Sequence, residues 1–184
     1  WAFRSGETKT NALLGYGFGV SLIISNYYWV SESVGNFSNM PLIVAWLCVL
    51  GYALIFAIPF SIIGAASHWL RDRVGTAWVW LLPGLQVAIE QCWPALFPYY
   101  HGALFYKSKW FWQLASVLGV TSLTYLVFLT NTALTEILYR RRDNTSVKIP
   151  IKTTVAVSVL FIGTLIFGII RHQSVSEKLK SAPT

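Results

Sequence analysis

Glu90 is the first candidate for chemistry in this sequence because it is an ionisable residue inside an apolar run. Placing such a residue in a membrane span costs free energy, so it is a functional candidate by default. Gln86 lies one helical turn earlier and would share a face with it. The alternative is a structural role near the outer membrane interface, in which Glu90 is hydrogen-bonded to a neighbouring helix or to water. The sequence supports both interpretations equally.

Other titratable residues are expected to have structural roles. His101 has the side chain for acid–base chemistry, but no Ser or Cys nucleophile with an orienting carboxylate lies near it in sequence. We therefore interpret it as a loop or headgroup contact. Glu136 should pair with Arg140 four residues later, and His68 should lie at a helix carboxyl end. Since a nucleophile, a base and an orienting group come together nowhere in the sequence, we predict no catalytic residue in this chain.

The cysteines and the glycine-rich stretch are expected to serve packing. Cys48 and Cys92 lie in separate apolar runs and lack the paired spacing of a disulfide framework or a metal site, so we predict two small buried side chains, no metal and no cofactor. The stretch "GYGFG" at residues 15–19 lacks the strand and turn that precede a phosphate-binding loop. It predicts close helix packing through small residues.

The elements that must position these residues are membrane helices. Hydrophobic residues make up 55% of the 184 residues and charged residues only 11%, which is typical of an integral membrane protein and excludes an ordinary soluble domain. The net charge of +7 comes from short basic clusters between apolar runs. Nucleic-acid binding is excluded because such binding uses a continuous basic face.

Apolar runs predict an all-α bundle of about five transmembrane helices, since a bilayer core takes about 20 apolar residues of helix. The predicted spans are residues 12–30, 41–66, 75–93, 110–138 and 150–170. Glu90 interrupts the third span, and Pro83 should kink it; a re-entrant or interfacial hairpin over residues 75–112 is the alternative. We expect one membrane domain over residues 1–174, followed over residues 175–184 by a polar tail or a linker to a further domain.

Residues 97–112, "FPYYHGALFYKSKWFW", form what we call the aromatic segment, since half of its residues are aromatic. Lys and Arg concentrate at the opposite ends of the predicted spans, so the positive-inside rule places the aromatic segment and the C-terminal tail on the outer side of the membrane. Amphipathic rings and snorkelling lysines both suit the boundary of a bilayer. The pattern predicts an outer-leaflet loop that contacts phospholipid.

Four stretches of the sequence together resemble a known protein family. In chain order they are "YYWVSESVGNFSNMPL", "WLLPGLQVAIE", "FPYYHG" and "LASVLGVTSLTYLVFLTNTAL". Together they resemble the membrane portion of bacterial apolipoprotein N-acyltransferases, from about residue 14 to residue 171. The resemblance implies a multi-pass protein of the bacterial inner membrane that moves a fatty acyl chain from phospholipid to the N-terminal diacylglyceryl-cysteine of lipoproteins. It implies phospholipids as partners, together with a lipoprotein substrate or other membrane subunits.

The resemblance also implies where the covalent chemistry takes place. The family forms a thioester on a cysteine of a periplasmic nitrilase-like domain, with a glutamate and a lysine, and that domain would follow the last predicted span. Neither Cys48 nor Cys92 matches this nucleophile, so no triad role is carried over. The membrane portion would instead contact and orient lipid around a lateral opening. By position, the residues expected there are Tyr28, Trp29, Glu90, Trp93, Phe97, Pro98, Tyr99 and Tyr100.

Three hypotheses for the whole chain remain open. The first is the membrane part of such an acyltransferase, and Trp1 in place of Met favours a fragment. The second is a non-catalytic scaffold subunit of a larger complex that keeps this membrane fold, and we expect the chain alone not to be catalytic in either case. The third is a small transporter with Glu90 as a proton-coupled group, against which stands the lack of a visible internal repeat.

Overall fold

The computed structural model describes residues 7–38, 40–94, 100–142 and 151–180, and its regular elements in those ranges are all helical. This confirms the predicted all-α class. The α-helices are α1 (Thr8–Ser38), α2 (Leu42–Phe56), α3 (Ile58–Val74), α4 (Trp78–Cys92), α5 (Trp112–Leu118), α6 (Val120–Arg142) and α7 (Ile151–Lys180). Short 3-10 helices cover Gly75–Ala77 and His101–Phe105. The chain divides into two compact units, Trp1–Gly75 and Thr76–Thr184.

In the first unit, α1 packs along both α2 and α3. The predicted packing role of the glycine-rich stretch is confirmed at two positions. A Cβ added at Gly15 would lie 2.3 Å from the carbonyl oxygen of Phe60, and one at Gly19 would lie 2.8 Å from the Phe60 ring. Glycine at these positions therefore lets α1 approach α3 more closely than a larger residue would allow.

The second predicted span, residues 41–66, contains a break in its helix. Helix α2 ends at Phe56 and α3 begins at Ile58, with Ala57 in a turn between them. Pro59 explains the break, because it cannot donate a hydrogen bond to the carbonyl of Ile55 and its ring crowds that carbonyl. The small side chain of Ala57 is fully buried at this point.

In the second unit, α6 is the central element and packs against α4, α5, α7 and the His101–Phe105 helix. The Thr132 hydroxyl donates to the Val79 carbonyl at 3.0 Å, and the Tyr125 hydroxyl donates to the Trp80 carbonyl at 3.1 Å. The fourth predicted span, residues 110–138, is divided at Gly119, whose φ of 79° is readily adopted only by glycine. The chain there forms α5 and α6 instead of one helix.

Helix α7 approaches the aromatic segment closely. A Cβ added at Gly168 would lie 2.0 Å from the Trp110 carbonyl oxygen. One turn later, the Arg171 Nε donates to the Ser116 hydroxyl at 3.3 Å. Helix α7 continues to Lys180, so the first residues of the predicted polar tail are helical.

Two helical stretches of the described chain, Leu42–Cys92 and Ile151–Glu177, are long and apolar enough to cross a bilayer. Five crossings and their orientation remain predictions. Helix α4 runs through Pro83 without a break, and the kink there stays a prediction. The prediction that Cys48 and Cys92 are buried is wrong, because both are exposed. An apolar run cannot distinguish a lipid-facing side from a protein-facing side, since both are apolar.

Candidate functional site

Glu90 lies in the last turn of α4, and its side chain is only 5% exposed. One carboxylate oxygen, Oε1, is the acceptor for several donors. The Gln86 Nε2 donates to it at 3.4 Å and the backbone N–H of His101 at 3.2 Å, while the His101 ring nitrogen Nδ1 lies against the same atom. The predicted shared face of Gln86 and Glu90 is confirmed. The pairing with His101 was not predicted.

The segment that follows His101 is fixed to α6. The backbone N–H of Gly102 donates to the Thr124 hydroxyl at 2.9 Å, and the His101 ring packs edge-to-face on Phe128 at 5.1 Å between centroids. A Cβ at Gly102 would lie 2.3 Å from the Val120 carbonyl oxygen. Two successive backbone N–H groups are thus held by side chains from two different helices, Glu90 from α4 and Thr124 from α6.

Two further polar atoms of this region are buried. They are Glu90 Oε2 and the Trp93 indole Nε1, and neither has a hydrogen-bond partner among the residues that the structure describes. Leaving such atoms unpaired in a dry environment costs about 1–3 kcal/mol each. Glu90 Oε2 could therefore accept a further hydrogen bond, and the Trp93 indole N–H could donate one.

The described part of the aromatic segment has a packed side and an exposed side. Phe105 stacks on Phe111 at 4.7 Å, and Phe111 packs against Phe161 of α7 at 5.1 Å. The exposed apolar side chains are Leu104, Tyr106, Trp110 and Trp112. The exposure of these side chains is observed, and the lipid contact predicted from the composition of the segment stays a prediction.

The predicted site residues fall in different parts of the structure. Tyr28 and Trp29 lie on α1 of the first unit and are 55% and 46% exposed. Glu90, Trp93 and Tyr100 lie in the second unit, with Trp93 and Tyr100 partly buried. Three more predicted residues, Phe97, Pro98 and Tyr99, lie outside the described residues.

The chemistry open to the Glu90–His101 pair is limited by its geometry. A carboxylate that orients an imidazole is the arrangement that holds a general base in place. Here the same oxygen also accepts a backbone N–H, so the carboxylate fixes the chain as well as the ring. No group of three or more metal-ligating His, Cys, Asp or Glu side chains occurs within the described ranges.

The other predicted polar contacts have structural roles. The Arg140 Nε donates to Glu136 Oε1 at 2.6 Å, which confirms the predicted pair, and the Trp78 indole N–H donates to the second oxygen at 3.1 Å. His68 pairs with Asp72 at 3.3 Å near the carboxyl end of α3, as its position indicated.

The model of a known protein family matches most of this chain. The model of the apolipoprotein N-acyltransferase N-terminal domain matches residues 1–133, a range that includes Glu90, His101 and Thr124. The chain belongs to the apolipoprotein N-acyltransferase family. The resemblance found from the sequence stretches is thereby confirmed.

Curated members of the apolipoprotein N-acyltransferase family give the scale of the similarity. The chain is 29% identical over 124 residues to apolipoprotein N-acyltransferase 2 of Leptospira interrogans, covering 67% of this chain and 21% of that relative. It is 28% identical over 175 residues to apolipoprotein N-acyltransferase of Haemophilus ducreyi, covering 88% and 31%. For the Bdellovibrio bacteriovorus relative the identity is 24% over 132 residues, covering 70% and 24%. The chain thus spans between 21% and 31% of these relatives. No solved structure matches it.

Proposed function

We propose that this chain is the membrane portion of an apolipoprotein N-acyltransferase of the bacterial inner membrane. The reaction is the transfer of a fatty acyl chain from a phospholipid to the N-terminal diacylglyceryl-cysteine of a lipoprotein. The observation that carries the proposal is the match of residues 1–133 to the N-terminal domain of this family. The covalent steps belong to the whole protein, and the role of this chain is to hold lipid.

Holding lipid in place is a physical contribution to such a reaction. Two membrane-bound substrates that meet at one site react as if at high effective concentration, because their translational and rotational freedom is already restricted. Helix α7 supports a lipid-facing scaffold, since Val159, Ile162 and Ile166 are all more than half exposed. We propose five crossings with the aromatic segment on the periplasmic side, where diacylglyceryl-cysteine peptides would be presented.

Each unit contributes its own proposed lipid contacts. In the first unit these are the exposed rings of Tyr28 and Trp29 on α1. In the second unit, Glu90 orients the neighbouring segment. The residues proposed to contact lipid there are Trp93, Phe97, Pro98, Tyr99 and Tyr100. Amphipathic Tyr and Trp rings favour the level of the headgroups, which supports this choice.

An acyl-transfer assay tests the proposal. The natural gene product would be reconstituted with phosphatidylethanolamine carrying an isotope-labelled acyl chain and with a synthetic diacylglyceryl-cysteine peptide. We expect mass spectrometry to show one labelled acyl chain on the peptide amine and an equal amount of lysophospholipid. A gene product that inserts into the membrane but produces neither would contradict the proposal and favour a scaffold subunit.

A further inference from the structure

We propose that Glu90 is a positioning residue that fixes the His101–Phe105 helix against α4 and α6 and so sets the place of the exposed side chains beside it. Sequence alone left Glu90 undecided between function and structural pairing. The inference rests on the proposed function, because it assigns Glu90 the task of presenting a lipid-contacting surface. Glu90 would act through His101 and would not touch the reacting atoms.

Glu90 binds a backbone group as well as a side chain. Its Oε1 accepts the backbone N–H of His101 at 3.2 Å and also contacts the His101 ring. A hydrogen bond to a backbone N–H restrains the path of the chain itself. Because the acceptor is a carboxylate with 5% exposure, the bond is stronger than one between neutral groups in water.

The position of the Glu90 carboxylate on its helix also favours this pairing. Glu90 lies in the last turn of α4, where the partial negative charge of the helix end opposes a carboxylate. The backbone N–H of His101 donates to this carboxylate and offsets the unfavourable interaction. The end of α4 and the His101–Phe105 helix therefore stabilise each other.

The His101–Phe105 helix is too short to be stable by itself. A 3-10 helix of one or two turns has few internal hydrogen bonds, and their geometry is poor. Its two ends are bounded by bonds to the flanking residues, from the Ala103 N–H to the Tyr100 carbonyl at 2.9 Å and from the Tyr106 N–H to the Ala103 carbonyl at 3.0 Å. Its fixed position depends on the side chains of Glu90 and Thr124. Leu104 and Tyr106, 65% and 63% exposed, are carried on its free side.

Hydrogen exchange of amides 101–106 tests whether Glu90 holds the His101–Phe105 helix in place, a role that we call the clamp. It would be measured in lipid nanodiscs without the diacylglyceryl-cysteine peptide. Glu90→Leu removes every acceptor on this side chain, and we expect exchange at these amides to rise about tenfold or more. Glu90→Gln keeps a carbonyl acceptor and should stay within about threefold of the parent. Thr124→Val, which keeps the side-chain shape, removes only the second anchor and should raise exchange at Gly102.

The matched control is Glu136→Gln, which changes another buried carboxylate in the described part of this unit. Glu136 lies twelve residues beyond Thr124 on α6 and is bonded to Trp78 and Arg140. We expect it to leave exchange at amides 101–106 unchanged. The clamp is overturned if Glu90→Leu exchanges like the parent, if Glu90→Gln is as loose as Glu90→Leu, or if Glu136→Gln loosens the segment equally.

Kinetics then connect the clamp to lipid use. In the acyl-transfer assay, Glu90→Leu should raise the KM for phospholipid about fivefold or more, with a smaller change in kcat, and Glu90→Gln should restore most of the loss. A fall in kcat at unchanged KM would overturn the positioning role. If the parent transfers no acyl chain, the proposed function fails, and the exchange measurement still decides the clamp by itself.

Discussion

The carboxylate of Glu90 accepts the backbone N–H of His101, eleven residues further along the chain, at 3.2 Å. This bond ties the end of α4 to the start of the His101–Phe105 helix, and the next amide, that of Gly102, is bound by Thr124 of α6. The chain is therefore attached to both α4 and α6 at His101 and Gly102, just before the exposed side chains of the aromatic segment.

Gly102 should tolerate no larger residue. In Gly102→Ala, the new Cβ would lie 2.3 Å from the Val120 carbonyl oxygen, so the segment must move away from α6, and we expect a loss of about 1–3 kcal/mol of stability. The measurement is the amount of monodisperse protein that remains after heating in detergent. Gly84→Ala in α4 is the control, because no atom lies within 4 Å of its added Cβ. Equal stability of the two variants would contradict the close approach.

The Trp78 indole should contribute to stability through its bond to Glu136. Trp78→Phe leaves a buried carboxylate oxygen without this donor, and we expect a loss of about 1–3 kcal/mol. Trp69→Phe, at a tryptophan that is 53% exposed, provides the comparison in the same heating assay. The account of this buried site is wrong if Trp69→Phe destabilises the protein as much as Trp78→Phe.

Two glycines of the same helix should respond in opposite ways to alanine. Gly15→Ala places a Cβ 2.3 Å from the Phe60 carbonyl oxygen, whereas nothing lies within 4 Å of a Cβ at Gly17. We expect Gly15→Ala to lose about 1–3 kcal/mol and Gly17→Ala to be neutral or to gain up to about 1 kcal/mol from helix propensity. The measurement is the thermal stability of the two variants side by side. A Gly15→Ala variant that is as stable as the parent would exclude the tight contact between α1 and α3.

The rings of the aromatic segment should matter for lipid use. We expect the combined change of Phe97, Tyr99 and Tyr100 to Ala to raise the KM for phospholipid about tenfold while membrane insertion stays intact, because rings at the bilayer boundary contact the substrate. A control that removes exposed apolar groups elsewhere changes Leu42, Ile43 and Leu47 of α2 to Ala. Unchanged kinetics in the ring variant, or equal losses in both, would count against a substrate role.

The predictions from sequence that the structure confirms depend on the local geometry of single helices. The pairs Gln86 with Glu90 and Glu136 with Arg140 follow from the four-residue spacing of a helix face, and both are present. The close approach at Gly15 follows from small residues in an apolar helix. These predictions need no knowledge of how distant parts of the chain meet.

What the sequence did not predict depends on chain breaks and on contacts between elements. Pro59 was a visible signal for the turn at Ala57, but the long apolar run concealed it. Gly119 divides a second apolar run by a positive φ that hydrophobicity does not indicate. The Glu90–His101 contact joins residues on either side of a helix end, where no periodic pattern relates one residue to the other.

The intact mass of the natural gene product after incubation with phospholipid tests the central claim most directly. If this chain is the membrane portion of an acyltransferase, the mass will exceed the 20.7 kDa of the chain and will include a species heavier by one acyl group. A product of 20.7 kDa that gains no acyl group from phospholipid would contradict it.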